Sequence, residues 1–523
     1  MKGISKQMRT LPDLIIAILC AAILSLFTWI VLSPSVGFDD ANITQNYAQN
    51  IANGLGYVYY AGGERVEGST SALWTALNTL GFLITDTPET LFAAVGFACT
   101  VGMIWFTISI ARAFLDMAGL TERFAALPVA AIMACFPAAF GWTVWSLMET
   151  GLWCFLTAGF LWASIRLIRS RSLQVPVSGG VLLTVLAVLM VLTRPEAIVL
   201  VSGMLLVLLL IDRYLPGAHE TGLVLRAALL SVAAFAALTL ARLVYFGVPH
   251  PNTYYAKVST DRLSEIKAGA RYTLDYVSEP DTFVLLLLAA LGLIAISRLG
   301  GAADRRGLVS VVIFALLVAL GTVAVYTLLG GDHFGSHRYY LIFLVLLVPG
   351  AVLGVVWLAM RYPPALPFLA LLCGAALIAQ WLTFAADKGD YEIEFRLAED
   401  SRAIGSILNR HDNSASVAVY IAGGIAMTYD GPIYDMLGLN WSDMAHTDRG
   451  RRGSYGAFSK PVFYQAAPTL VNPQRDNCVA DWADNPHVNE TFDNLFLEAR
   501  FRELYALDCV DGVSLFRKID RTE

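Results

Sequence analysis

The first 386 residues alternate long apolar runs with short polar connections, a pattern that predicts membrane-crossing helices. Crossing roughly 30 Å of hydrocarbon takes about 20 helical residues. Eleven runs approach that length, at 11–32, 89–111, 124–141, 149–165, 177–193, 196–212, 224–246, 282–297, 307–329, 339–360 and 365–386. The first follows Lys2, Lys6 and Arg9, as a secretory signal would. At 22 residues it is longer than the usual apolar core of a signal and lacks a small-x-small cleavage site, so it reads as a retained anchor.

Two polar stretches carry apolar residues at helical spacing. Ile43, Tyr47 and Ile51 recur every four residues, with Gly54 placed to stop the helix. Leu263, Ile266, Ala270, Leu274 and Val277 make a similar stripe. Both predict helices lying along the membrane surface. Beyond residue 386 the pattern changes. A helix over about Tyr391–Arg410, a strand running into a glycine turn in SVAVYIAGG and a strand in GVSLFRK predict a small α/β domain. The expected organisation is a membrane part, 1–386, and a non-embedded part, 387–523.

Composition supports this division, since 57% apolar and 15% charged residues exclude an ordinary soluble domain. The net charge of -6 is uneven, because residues 387–523 hold 22 Asp and Glu against 14 Lys and Arg. Arginines cluster in alternate connections: Arg112 with Arg123, Arg166 with Arg169 and Arg171, Arg213 with Arg226, Arg298 with Arg305 and Arg306, and Arg361. The positive-inside rule places these in the cytoplasm. The opposite set reads FDD (38–40), WSLMET (145–150), TRPE (193–196), GVPHPNTYYAK (247–257) and GGDHFGSHRYY (330–340). An odd number of spans puts the tail on that same side, so one assembled site is expected there. Five of the seven cysteines fall in apolar runs. Cys478 and Cys509 are the pair in the polar tail, and a disulfide between them would need an oxidising compartment.

Asp39 and Asp40 stand out chemically. Asp40 is placed to N-cap the following helix, a role that leaves Asp39 unexplained; alternatively one carboxylate takes a proton from a hydroxyl while the other orients it or shares a metal. Arg194 either pairs with Glu149 or Glu196 or grips a phosphate. His250 and Lys257 suit a lipid-linked phosphate, while Tyr254 and Tyr255 beside them read by default as an interfacial tyrosine belt. Asp332, His333, His337 and Arg338 crowd into seven residues, where a divalent ion or a phosphate are both open readings. Glu64, Arg65 and Glu67 sit in a glycine-rich loop that is either solvated or suited to sugar hydroxyls.

Taken in order, FDDANITQNYAQNIANGLGYVY, GERVEGSTSALW, WSLMETGLW, LTRPEA, HPNTYYAK, GGDHFGSHRYYL and YDMLGL resemble a family of bacterial membrane glycosyltransferases with the GT-C fold. Among named families, the terminal arabinofuranosyltransferases of mycobacterial cell-wall assembly are similar. The resemblance runs from residue 38 to about 440. It implies a polytopic α-helical membrane protein of GT-C type in the bacterial inner membrane, with a C-terminal periplasmic α/β domain. The implied reaction is inverting transfer of a single sugar, arabinofuranose in the named relatives, from a polyprenyl-phosphate donor to a cell-envelope glycan, glycolipid or glycoprotein. No nucleotide cofactor and no nucleic acid partner are implied. The resemblance marks Asp39 as the base with Asp40 supporting it, and Arg194, His250, Lys257, His337 and Arg338 as donor-phosphate contacts. Glu64, Glu67, Tyr254 and Tyr255 then bind substrate, and Asp332 and His333 become candidates for a divalent cation (Mg, Mn or Ca). A ligase or polymerase using a whole lipid-linked oligosaccharide is the nearest alternative. A lipid or sugar transporter fits less well, since transporter sites lie near the bilayer midplane between repeated halves and no repeat is evident.

Overall fold

A computed structural model describes residues 2–173, 180–214, 221–258, 261–299, 304–386, 388–447, 451–452, 456–472 and 485–519. Among them, eight helices are long and apolar enough to cross a membrane: Leu11–Leu32, Glu89–Met117, Thr150–Ser172, Ala197–Tyr214, Thr221–Phe246, Pro280–Arg298, Arg305–Leu328 and Ile342–Arg361. Leu229, Leu240, Val244 and Leu320 on these helices are exposed, as lipid-facing side chains are. The expected span at 124–141 is not one straight helix. Glu122–Met133 and Pro137–Trp145 meet at 88°, and count as a ninth crossing only if the pair is one span. Pro137 starts the second piece, where a missing N–H is harmless, and the piece widens into a π turn at Gly141–Trp145. The run expected at 177–193 is described as the 14-residue helix Gly180–Thr193, and that at 365–386 as the helix Leu366–Ala386.

The arginine-bearing connections gather at one end of the bundle. Arg112 pairs with Asp13 at 2.5 Å, Arg169 with Asp116, and buried Arg171 with Asp212. The loops with unusual polar chemistry meet at the other end. There the Phe38 N–H donates to the Ser146 carbonyl at 3.1 Å, the Asn252 N–H to the Glu67 carbonyl at 2.9 Å, and the Trp74 indole to the Leu147 carbonyl at 3.0 Å.

Both surface helices form, with a difference. Arg262–Ser278, capped by Asp261 on the Ser264 N–H at 3.2 Å, exposes Leu263, Ile266, Leu274 and Val277 as its stripe requires. Asp39–Ala52 instead buries Ile43 and Tyr47 in one apolar cluster with Val417, Val419, Ile425 and Ile433 of the tail. The stripe expected to face lipid is covered by protein. Phe38, not Asp40, occupies the N-cap position of this helix, and no side chain caps it.

The tail folds as a five-stranded mixed sheet. Val417–Val419 is flanked in parallel by Ile433–Asp435 and Leu470–Asn472. Val513–Lys518 then pairs antiparallel with Leu470–Asn472, and Tyr505–Val510 forms the far edge. The helix Gly389–His411 carries the chain from the bundle into this sheet. Cys509 is disulfide-bonded; Cys478 lies outside the described residues.

Candidate active site

The tail docks on the segment that follows the first span. Asp39 is only 7% exposed, and its two carboxylate oxygens accept from the Gly423 N–H at 2.8 Å and the Gly424 N–H at 2.7 Å. Glycine is required at this junction, because a Cβ on Gly423 would lie 1.9 Å from the Asp39 carbonyl oxygen. Burial pushes the Asp39 carboxyl up to about 7 against the pull of those two N–H groups, with Asp40 and Asp435 adding to the rise. Arg402 extends the seam, donating to Asn42 and Glu89, each at 2.6 Å, and to Gln45 at 3.0 Å. Asn252 donates to the Gly438 and Leu439 carbonyls at 2.8 and 3.1 Å. The YDMLGL stretch is itself pinned by Asp435, which accepts from the Leu437 and Asn440 N–H groups, each at 2.9 Å.

Asp40 is different. It is half-buried, and its carboxylate has no hydrogen bond or ion pair among the described residues. It lies within electrostatic reach of His333, which also feels Lys257, Asp332 and Arg338. Burial, with Lys257 beside it, lowers the His333 imidazole to about 4, so the ring is neutral at neutral pH. Asp332 is engaged by Arg338 at 2.5 Å. Burial raises its carboxyl, but Arg338 and His333 outweigh burial and hold it below the ordinary range.

Lys257, Asp332, His333 and Arg338 line one chamber of about 690 Å³. Its other walls come from the surface helix Arg262–Ser278, through Glu265, Lys267, Arg271 and Asp275, and from Glu196, Tyr326 and Tyr339. Lys257, Lys267 and Arg271 have no hydrogen-bond or ion-pair partner among the described residues. The chamber thus presents three available cations at the head of the bundle, with exposed apolar side chains of the same surface helix outside it.

No family model matches the chain, and no curated protein matches it. Among solved structures, it is similar to the crystal structure of ArnT from Cupriavidus metallidurans bound to undecaprenyl phosphate. The identity is 14% and the TM-score 0.43, over 82% of this chain and 76% of that one. An overlap this loose leaves the activity to be argued from the site.

The remaining candidates are dispersed. Buried Arg194 pairs with Glu149 at 2.6 Å and Glu196 at 3.5 Å, and lies over the Tyr339 ring at 5.0 Å. His337 adopts left-handed backbone and faces a separate cavity of about 210 Å³ with Tyr276, Asp281 and Tyr391. Exposed His250 packs on Tyr254 at 4.7 Å, and Tyr255 on His446 at 4.2 Å. Glu67 holds Arg242 through two bonds of 2.7 and 2.9 Å, and Glu64 accepts the Ser442 N–H at 2.7 Å. These two glutamates therefore brace the loop against the bundle and the tail. Asp332 and His333 make a poor cation site, because Asp332 already holds a guanidinium and no group of three His, Cys, Asp or Glu side chains converges among the described residues.

Sequence reasoning missed Lys267, Arg271 and the Asp39–glycine seam. The first two had a signal: Ser264, Lys267, Arg271 and Asp275 recur at three- and four-residue spacing on the flank of the apolar stripe. The seam had a partial one, since GG after a strand and before a helix is a ready acceptor of an anion. Here the anion is a side chain from 384 residues earlier.

Proposed function

We propose that this chain is an inverting membrane glycosyltransferase of GT-C type, transferring one sugar from a polyprenyl-phosphate donor to a hydroxyl of a cell-envelope acceptor on the periplasmic side of the inner membrane. Arabinofuranose is the sugar suggested by the sequence resemblance. The observation that carries the reading is the Asp40 carboxylate, which has no partner among the described residues and lies within reach of His333, at the wall of a chamber whose three cations likewise have none among them.

The roles follow from that arrangement. The donor phosphate sits among Lys257, Lys267 and Arg271, with its prenyl chain leaving beside the exposed apolar face of Arg262–Ser278. Asp40 accepts the proton of the acceptor hydroxyl as its oxygen attacks the anomeric carbon. The bond from that carbon to phosphate oxygen breaks on the opposite face, and the electron pair leaves on the phosphate, where the cations stabilise it. Asp39 supports the base through the backbone by fixing the start of its helix. Arg194 and Arg338 support the chamber wall. No step is routed through a metal ion.

The test incubates the purified protein with a panel of polyprenyl-phosphate pentoses and hexoses and native membrane extract, comparing wild type with Asp40→Asn. Transfer by the wild type that Asp40→Asn loses is the expected result. Near-normal turnover by a folded Asp40→Asn protein would overturn the assignment.

A further inference from the structure

The Asp40 carboxylate has no hydrogen bond or ion pair among the described residues, so its place is set by the backbone on either side of it. Asn42 holds both sides. This buried side chain donates through its amide nitrogen to the Phe38 carbonyl at 2.8 Å and to the Val36 carbonyl at 3.1 Å. Phe38 is anchored in turn, since its N–H donates to the Ser146 carbonyl at 3.1 Å and its ring meets Trp142 edge-on at 5.0 Å. Asp40 therefore lies midway between two residues that grip each other across it.

The oxygen of the Asn42 amide faces the other way, where it accepts from Arg402 Nε at 2.6 Å. Carbonyls only accept and a guanidinium only donates, so one orientation of the amide satisfies both neighbours at once. The same guanidinium donates to Gln45 at 3.0 Å, about one turn along the helix, and to Glu89 at 2.6 Å, the first residue of the span Glu89–Met117. Asn42 and Gln45 are 0% exposed, so the fork supplies donors that water does not reach. Arg402 itself belongs to the tail side of the seam. It lies on the helix Gly389–His411, and its carbonyl accepts from the Thr428 hydroxyl at 2.7 Å, shortly after Gly423 and Gly424, whose N–H groups hold Asp39. One guanidinium thus joins the tail, the helix that carries Asp40 and the membrane bundle.

We propose that Arg402 is a positioning residue for Asp40, acting through Asn42 to fix the backbone on both sides of the carboxylate. The proposal rests on the transferase reading and deepens it, because the base is in place only while the tail is docked. A planar fork is what the arrangement requires. A lysine keeps the charge but presents a compact ammonium on a flexible stem, which does not hold three fixed acceptors together. A displacement of about 1 Å at a reacting group costs on the order of 100-fold in rate.

The test is a double-mutant cycle in turnover. Full-length wild type, Arg402→Lys, Asn42→Ala and the double variant are given saturating polyprenyl-phosphate sugar and native membrane extract, and polyprenyl phosphate binding is measured in parallel to count folded sites. Turnover per binding site should fall about tenfold or more in each single variant, with polyprenyl phosphate affinity within about twofold. The double variant should lie within about threefold of the slower single, because both changes break one connection. A purely structural Arg402 would reduce the number of sites and leave the turnover of each unchanged. That result, a loss confined to one of the two singles, or losses that multiply in the double variant overturns the proposal, while transfer by the wild type leaves the transferase reading standing. No transfer by the wild type removes both.

Discussion

The charges at the head of the bundle fall into two regions that look alike in the sequence and behave differently in the fold. In one, each charge is answered: Arg194 by Glu149 and Glu196, Arg338 by Asp332, Arg242 by Glu67, and Asp39 by two backbone N–H groups. In the other, around the chamber, Lys257, Lys267 and Arg271 have no such partners among the described residues. The difference follows exposure. A buried charge left alone costs several kcal/mol, so the interior charges have been paired and serve as framework. Cations at the mouth of an open chamber remain hydrated at little cost and keep their donors for a ligand. Unusual polar residues therefore mark the right end of the molecule, but pairing decides which of them act.

The sharpest way to break the contrast is to exchange the neighbours. Asp40→Asn removes the carboxylate without a partner and should lower turnover by roughly two to four orders of magnitude, with the thermal midpoint of the purified protein unchanged. A variant that unfolds instead would return Asp40 to the framework. Glu67→Ala should do the reverse. It strands Arg242, which is 3% exposed, and should cost about 3–5 kcal/mol of stability. Glu67→Ala with Arg242→Met should recover much of that loss. A single variant as stable as the pair would mean that the bridge braces nothing.

Lys257→Met probes the unpaired side more gently. Losing one charged hydrogen bond to phosphate costs about 1.5–3 kcal/mol, or roughly 10- to 100-fold in affinity for polyprenyl phosphate. Stability should be unaffected. Equal binding by variant and wild type would move the phosphate away from Lys257.

These expectations show what was legible in the chain. Eight of the eleven expected spans were, because hydropathy alone sets them. The meeting of the five loops at one end was too, because arginine placement orients each connection. The 88° break near Pro137 was not, since the run CFPAAFGW stays apolar through the bend. The fate of Ile43 and Tyr47 was also hidden. A helical stripe announces an apolar face but not whether lipid or protein will cover it, and here the tail does. The resemblance set Asp39 as the base with Asp40 as its support; the division proposed above is the reverse, because the two adjacent carboxylates separate only when Gly423 and Gly424 arrive from the far end of the chain.

Asp39 offers a direct measure of its framework role. Burial raises its carboxyl from the ordinary value of 3.8 to about 7. Between about pH 4 and pH 7 the folded protein therefore holds a proton that the unfolded chain has released, and the stability contributed by this group falls as pH rises through that window. Above about 7 both states are ionised and the contribution is flat. Asp39→Asn has no proton to hold, so the wild-type stability minus that of the variant should decline from about pH 4 to about pH 7 and then level. A difference that rises over the same window would mean that the Gly423 and Gly424 N–H groups outweigh burial and hold the ionised form. In that case the seam would tighten as the carboxylate charges, and the tail would dock most firmly at neutral pH.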